Sequence, residues 1–317
     1  MPDFSPHFEI LPVAEGVYAA IATPGMAAGS NAGIIELGSH TLIFDAFETP
    51  TAAADLRRFA EELSRRSPDI LINSHFHDDH WGGNQVFEPE ALIISTLPNG
   101  ELISDGTEGY LDITELTAEI QEQVEQKKQR LLFESDPRWR ASLENSLRHS
   151  QYILADLPNI QPYPPNLTFE GKLIFHSQHR QAELIASNGH TLSDCYLLLP
   201  QERICFTGDL AFFGEHAYLL DSDPAQWVKI LENFEQSNIE TFIPGHGPSG
   251  TKAEITLLKE YILALENLAR EVQLTGGSAD DAANIRIPPP FDTWSGGIAR
   301  FERNMRFIFE YIIRQVS

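Results

Sequence analysis

Ser74-His75-Phe76-His77-Asp78-Asp79-His80-Trp81-Gly82-Gly83 packs three histidines and two aspartates into six residues of a chain with 11 histidines in all. The run follows Asp69–Asn73, whose apolar centre reads as a short buried strand. In an extended segment His75 and His77, two apart, send their imidazoles to one side. Asp79 and His80 then lie on a turn toward Gly82-Gly83, where they can face a second centre nearby. Imidazole nitrogen and carboxylate oxygen are donors that borderline divalent metals accept. A solvated polar loop is the bland alternative, and it gives no reason for so dense a cluster. The glycines allow a tight turn and a close start for a short following helix.

Outward from this run the pattern is mixed α/β. Upstream, the apolar runs Phe8–Pro12, Val17–Ile21, Ala32–Leu37 and Thr41–Phe44 read as strands broken by glycines, and Thr49-Pro50 opens an amphipathic helix. Downstream, a strand is expected at Ala91–Ser95. From about 98 to 165 strand signals are missing. Ile113–Phe133 and Arg138–Leu157 read as long polar-rich helices, so this stretch is a helical insertion. It could roof the site or contact a second copy of the chain. Strands resume at Leu167–Phe169, Lys172–Phe175, Ala182–Ala186, Cys195–Leu199 and Arg203–Phe206, with one more at Glu240–Ile243. Asp223-Pro224 caps a further helix. Two helices in 252–317, near Lys252–Leu274 and Gly297–Val316, close what reads as a single domain over 1–317.

Composition narrows the partners. Hydrophobic residues at 42% allow a substantial core, whereas 22 Lys+Arg against 46 Asp+Glu gives a formal charge of −24. Such a surface repels phosphate backbones and anionic headgroups, so a small-molecule substrate is expected rather than nucleic acid or membrane. A homo-oligomer stays open. The N-terminus has neither a basic n-region nor an apolar h-region, and no run approaches the length of a membrane span. Cys195 and Cys205 sit in strand-like runs and read as reduced thiols. Cytoplasm is the expected compartment.

Three later segments each follow a predicted strand: Gly189-His190-Thr191, Thr207-Gly208-Asp209 at the end of a strand, and Pro244-Gly245-His246-Gly247. Each alone is most simply a turn. In order, after His-x-His-x-Asp-His-x-Gly-Gly, they resemble the motif set of the metallo-β-lactamase superfamily. Ser30-Asn31-Ala32-Gly33 and Leu42-Ile43-Phe44-Asp45 look like its N-terminal half. The resemblance implies a four-layer αββα sandwich. It implies His75, His77 and His190 on one metal, Asp79, His80 and His246 on the other, and Asp209 bridging them. Two divalent ions follow, zinc foremost, with iron or manganese as alternatives. Asp45 looks like the family's buried acid near the site, or else merely ends its strand.

The implied chemistry is hydrolysis by a metal-bridging hydroxide, with Asp79 as the catalytic residue that orients it and shuttles a proton. An aspartate at position 209 is similar to the glyoxalase II, lactonase and phosphodiesterase branches, whereas zinc β-lactamases usually carry Cys or Ser there. Quorum-signal lactonases have a Tyr shortly after that aspartate, where this chain has Leu210-Ala211-Phe212-Phe213. Flavodiiron proteins have Glu in place of His77. A thioester or other carboxylic ester, with a lactone as a further option, is therefore the expected substrate. The alternatives are a mononuclear iron persulfide dioxygenase and a non-catalytic metal-binding module. Phe212, Phe213, His216 and Tyr218, close behind Asp209, are candidates to line a pocket, although such residues are more often core.

Overall fold

The strands β1 (Phe8–Ala14), β2 (Val17–Ala22), β3 (Ala32–Leu37) and β4 (His40–Phe44) form an antiparallel run, and β5 (Ile70–Ile72), β6 (Leu92–Thr96) and β7 (Leu167–Phe169) extend it in parallel to seven strands. A second sheet of five strands holds β8 (Lys172–His176), β9 (Gln181–Ala186), β10 (Cys195–Leu199) and β11 (Ile204–Phe212) antiparallel, with β12 (Thr241–His246) parallel to β11. The computed structural model describes residues 4–109, 113–178 and 180–316.

The two sheets face one another. Ile35, Leu42, Phe44 and Ile72 of the first interlock with Leu184, Leu197, Phe206 and Ile243 of the second in one buried cluster. Their neighbours Ile34, Ile43 and Leu71 point the opposite way, because side chains alternate along a strand. They pack against Leu56 and Phe59 of α1 (Pro50–Ser64). Thr49 caps α1, its side chain accepting from the Ala52 amide, and Pro50 supplies the pre-set φ of the first turn. Strands buried on both faces explain why their sequences read as continuous apolar runs.

The outer face of the second sheet is covered by α6 (Pro224–Gln236) and α7 (Lys252–Leu274), and by α9 (Gly297–Val316), which follows the short α8 (Ala279–Ala283). Trp227, Leu258 and Phe301 supply the contact there. The order of layers is thus helix, sheet, sheet, helix, as expected. Cys195 and Cys205 are free thiols buried on β10 and β11. Among the described residues no helix is long and apolar enough to cross a membrane.

Between β6 and β7 the described residues form the α-helices α3 (Leu97–Gly109), α4 (Ile113–Phe133) and α5 (Pro137–Asp156). Helix α5 is tied at two points, to the start of α1 and to loops of the first sheet. Asp156 accepts from the Thr51 hydroxyl at 2.7 Å, and the His149 ring bridges Met26 O and Glu48 Oε2 at 2.6 Å each.

At the site the most consequential difference from the sequence reading is β11. β11 does not stop before Asp209 but runs to Phe212, with its register to β12 broken on either side of Gly208. Leu210, Ala211 and Phe212 are all buried and keep the strand going, while the irregularity at Gly208 (φ 52°) re-aims Asp209.

Candidate metal centre

The functional side chains converge on one edge of the sandwich, where β5, β11 and β12 end or break. After β5 the chain bends through His75–His77, with His77 itself extended, and then makes a single helical turn, α2 (Asp78–Trp81). Gly82 and Gly83 follow with ordinary negative φ, so left-handed freedom is not why they are glycines. A Cβ on either would lie 2.2 Å from a backbone oxygen, of Glu48 or Ala46 respectively. Their role is close approach, and the helix expected after them is a 3-10 turn, Asn84–Val86.

Two groups of ligand atoms form. The first comprises His75, His77, His190 and Asp209; the second comprises Asp79, His80 and His246, and within each group the atoms lie within 4.8 Å of one another. Asp209 faces both. Its Oδ2 is 3.7 Å from His75 Nε2 and 3.4 Å from His190 Nε2, while its Oδ1 is 3.1 Å from His80 Nε2 and 3.4 Å from His246 Nε2. All seven residues anticipated for the metals are therefore brought together.

The donor set fits cations. His80 Nε2 and Asp209 Oδ1 are buried and 3.1 Å apart, yet neither makes a hydrogen bond. Unsatisfied buried polar atoms are costly and rare, and lone pairs aimed at a shared gap satisfy the same geometry as ligands. Burial pushes His75 and His190 toward the neutral imidazole that binds metals, His190 down to about 3. Burial also opposes charge on His80 and His246, but Asp209 and Asp79 outweigh it and raise both, His246 up to about 10. Those are the protons a dication would replace.

Outer partners fix the rings. Asp45, buried at the end of β4, accepts from the Ser74 amide and hydroxyl and lies 2.8 Å from His80 Nδ1. It orients a candidate ligand as well as ending a strand. Asp221 Oδ2 lies 3.0 Å from His77 Nε2, leaving Nδ1 to face His75 and His190. Such second-layer acceptors set tautomer and ring direction. Sequence reading did not find Asp221, which lies 144 residues from its partner. His190 is wedged between Phe212 and Trp227, at ring distances of 5.5 and 5.2 Å. The Asn31 side chain donates to Pro244 O and Gly247 O, lashing the start of the first sheet's β3 to the end of β12 that carries His246. Gly245 there has no substitute, because a Cβ would lie 1.9 Å from Asp209 Oδ1.

A cavity of about 700 Å³ opens beside this cluster. Asp79 and His246 border it, whereas Asp209 is sealed beneath at 3% exposure. Helix α5 forms one wall through Ser142, Asn145, Ser146 and His149, a polar stripe at i, i+3, i+4 and i+7. Of the four pocket candidates only Phe213 borders this cavity. Phe212 stacks on His246 and Tyr218 stands edge-on to His77, each packing against the cluster. His216 turns into the core, its Nδ1 3.1 Å from the Tyr261 hydroxyl.

Comparison with known proteins agrees with this geometry. No curated protein matches the chain. Among solved structures it is similar to a metallo-beta-lactamase from Pontibacter korlensis, with TM-score 0.58 and 15% identity over 81% of this chain and 99% of that one. The DIM-1 metallo-beta-lactamase and the protein VMB-1 are comparable, at TM-scores 0.58 and 0.56 and identities of 15% and 13%. Each alignment spans 82% of this chain, and 98% and 99% of theirs respectively. At such identities the likeness concerns the fold. The sequence profile of the metallo-beta-lactamase superfamily matches residues 26–246, a span that begins before Ser30 and ends on His246. With the motif order, the layered fold and the clustered side chains in agreement with that match, the chain belongs to the metallo-beta-lactamase superfamily.

Proposed function

We propose that this chain is a cytoplasmic hydrolase of ester-like bonds, thioester or carboxylic ester, that works with two divalent cations, zinc foremost. The observation that carries the reading is Asp209, whose two oxygens face opposite ligand groups at 3.1–3.7 Å. One carboxylate between two histidine-rich groups is the arrangement that neutralises a pair of dications. Bound there, such a pair supplies Lewis acidity and a water of lowered pKa. The division of labour among the residues follows from exposure. Asp209 is buried and holds charge. Asp79 is 23% exposed, borders the cavity and has its Oδ2 3.1 Å from His246 Nε2, so it can receive a proton and deliver it to a leaving group. The Ser30 hydroxyl donates to Asp79 O at 2.5 Å and fixes the turn that presents it. Phe212, flat against His246 at 4.9 Å, excludes water from behind the cluster. Neither cysteine competes as a nucleophile, since burial pushes both thiols up, Cys195 well above its ordinary value.

The test is elemental analysis after metal loading, paired with turnover of a thioester and an aryl ester before and after chelation. Two metals per chain and chelator-sensitive hydrolysis are expected. At most one metal would remove the binuclear reading and favour a mononuclear iron centre. Two metals without turnover of either ester would remove the hydrolase.

A further inference from the structure

A basic cleft lies next to the cavity. In a chain with 22 Lys+Arg against 46 Asp+Glu, four cations, Lys127, Arg130, Arg300 and Arg303, border one depression of about 290 Å³. Glu134 is the single acid on its rim. Two cations come from α4 and two from α9, each pair spaced i, i+3 and so on one face of its helix. Two of the four are already engaged. Arg300 Nη1 lies 3.3 Å from Glu215 Oε1, and Lys127 Nζ donates to Ser150 Oγ at 2.6 Å. Arg130 and Arg303 have no carboxylate within ion-pair distance among the described residues, and Arg303 Nε turns only to Ala299 O at 3.3 Å. Like charges held together in a protein of opposite net charge are an unbalanced arrangement until an anion enters.

The cleft is continuous with the cavity beside the metal centre. Ser142, Ser146, Gly296 and Arg300 line both. A molecule with its reacting bond at Asp79 and His246 can therefore extend past the α5 stripe and Arg300 to the α4–α9 cations. Trp139 and Leu143 give this end an apolar wall suited to a methylene segment.

We propose that the cleft is an oxyanion subsite, and that the substrate is elongated, with a carboxylate or phosphoryl group at the end remote from its ester-like bond. The substrate part rests on the hydrolase reading; the anion site does not. Guanidinium groups with unengaged donors suit both oxyanions, which they grip through paired charge-assisted hydrogen bonds.

The experiment has two arms. In the first, the metal-free full-length chain is titrated calorimetrically with succinate and with inorganic pyrophosphate, which separates carboxylate from phosphoryl recognition. Saturable binding is expected for at least one, weakened about tenfold or more in the exposed-site double variant Arg130→Gln/Arg303→Gln and weakened by added salt. Absence of binding by both probes, or equal binding by parent and variant, overturns the subsite. So does a double variant whose self-association changes while anion binding does not, which would make the cleft a contact between copies. In the second arm, kcat/KM of the zinc-loaded enzyme is compared for a thioester with a distal carboxylate and for its neutral amide analogue. A preference of about tenfold for the charged substrate is expected, and its ratio should collapse in the double variant. A preference that persists in the variant overturns the specificity role. Arginine-dependent anion binding with no turnover of either thioester would uphold the subsite and remove the hydrolase reading alone.

Discussion

His149 is held between two groups that can only accept. Its Nδ1 lies 2.6 Å from Met26 O and its Nε2 lies 2.6 Å from Glu48 Oε2. Both ring nitrogens must donate, so the ring is an imidazolium. Burial opposes that charge, but Glu48 outweighs it and pushes the pKa up from 6.5 to about 9. At about 1.4 kcal/mol per pH unit, the rise corresponds to at most about 3.5 kcal/mol. Because the folded-state value is the higher one, this stabilisation is fully present below pH 6.5 and is lost as pH rises through 9. His149→Gln keeps a polar side chain but cannot titrate. Urea denaturation of parent and variant from pH 6 to 10, with amide exchange on α5 as the local readout, should therefore give converging curves. The parent's advantage should shrink by about 3 kcal/mol across that window. Parallel profiles would refute the argument, showing that His149 is neutral in the folded chain or that the α5 clamp contributes nothing.

Three further outcomes are expected. Asp209→Asn keeps the shape but removes the negative charge that faces both ligand groups, so about one metal per chain should be lost and turnover should fall. Full metal content in that variant would end the bridging role. His77→Ala should lose metal and activity yet unfold as cooperatively as the metal-free parent, since the core clusters do not include it, whereas Asp221→Asn should weaken metal affinity roughly 10–100-fold. Gly25→Ala places a Cβ 2.8 Å from Asn145 Cα at a φ of 78°, and should cost about 1–3 kcal/mol in thermal denaturation while loosening α5; an unchanged Tm would refute the close packing.

Much of this was legible in the residues because the signals are local. Strand and helix periods, Thr49 and Asp223 as caps, and a donor cluster behind a strand all lie within short windows of sequence, so the elements and their order could be read directly. The donor motifs pointed to the metal candidates through family resemblance, and the fold brings those residues into two neighbouring groups. Tertiary structure decided whatever depends on partners distant in the chain. Nothing near Asp221 announces its bond to His77, and nothing in Leu210–Phe212 says that β11 continues past a kink, because burial by α6 and α7 decides it. Gly82, Gly83 and Gly245 looked like turn formers, yet what requires them is backbone or carboxylate oxygen packed where a Cβ would stand. His216 shows the same limit in reverse. Its nearness to Asp209 in sequence suggested the pocket, but the chain turns after Gly214 and places it against Tyr261 in the core. Charge tells the same story at larger scale. Composition gives an acidic chain, and only the packing of α5 against both α4 and α9 gathers Lys127, Arg130, Arg300 and Arg303 around one cleft, because an average over the sequence carries no information about where charges meet.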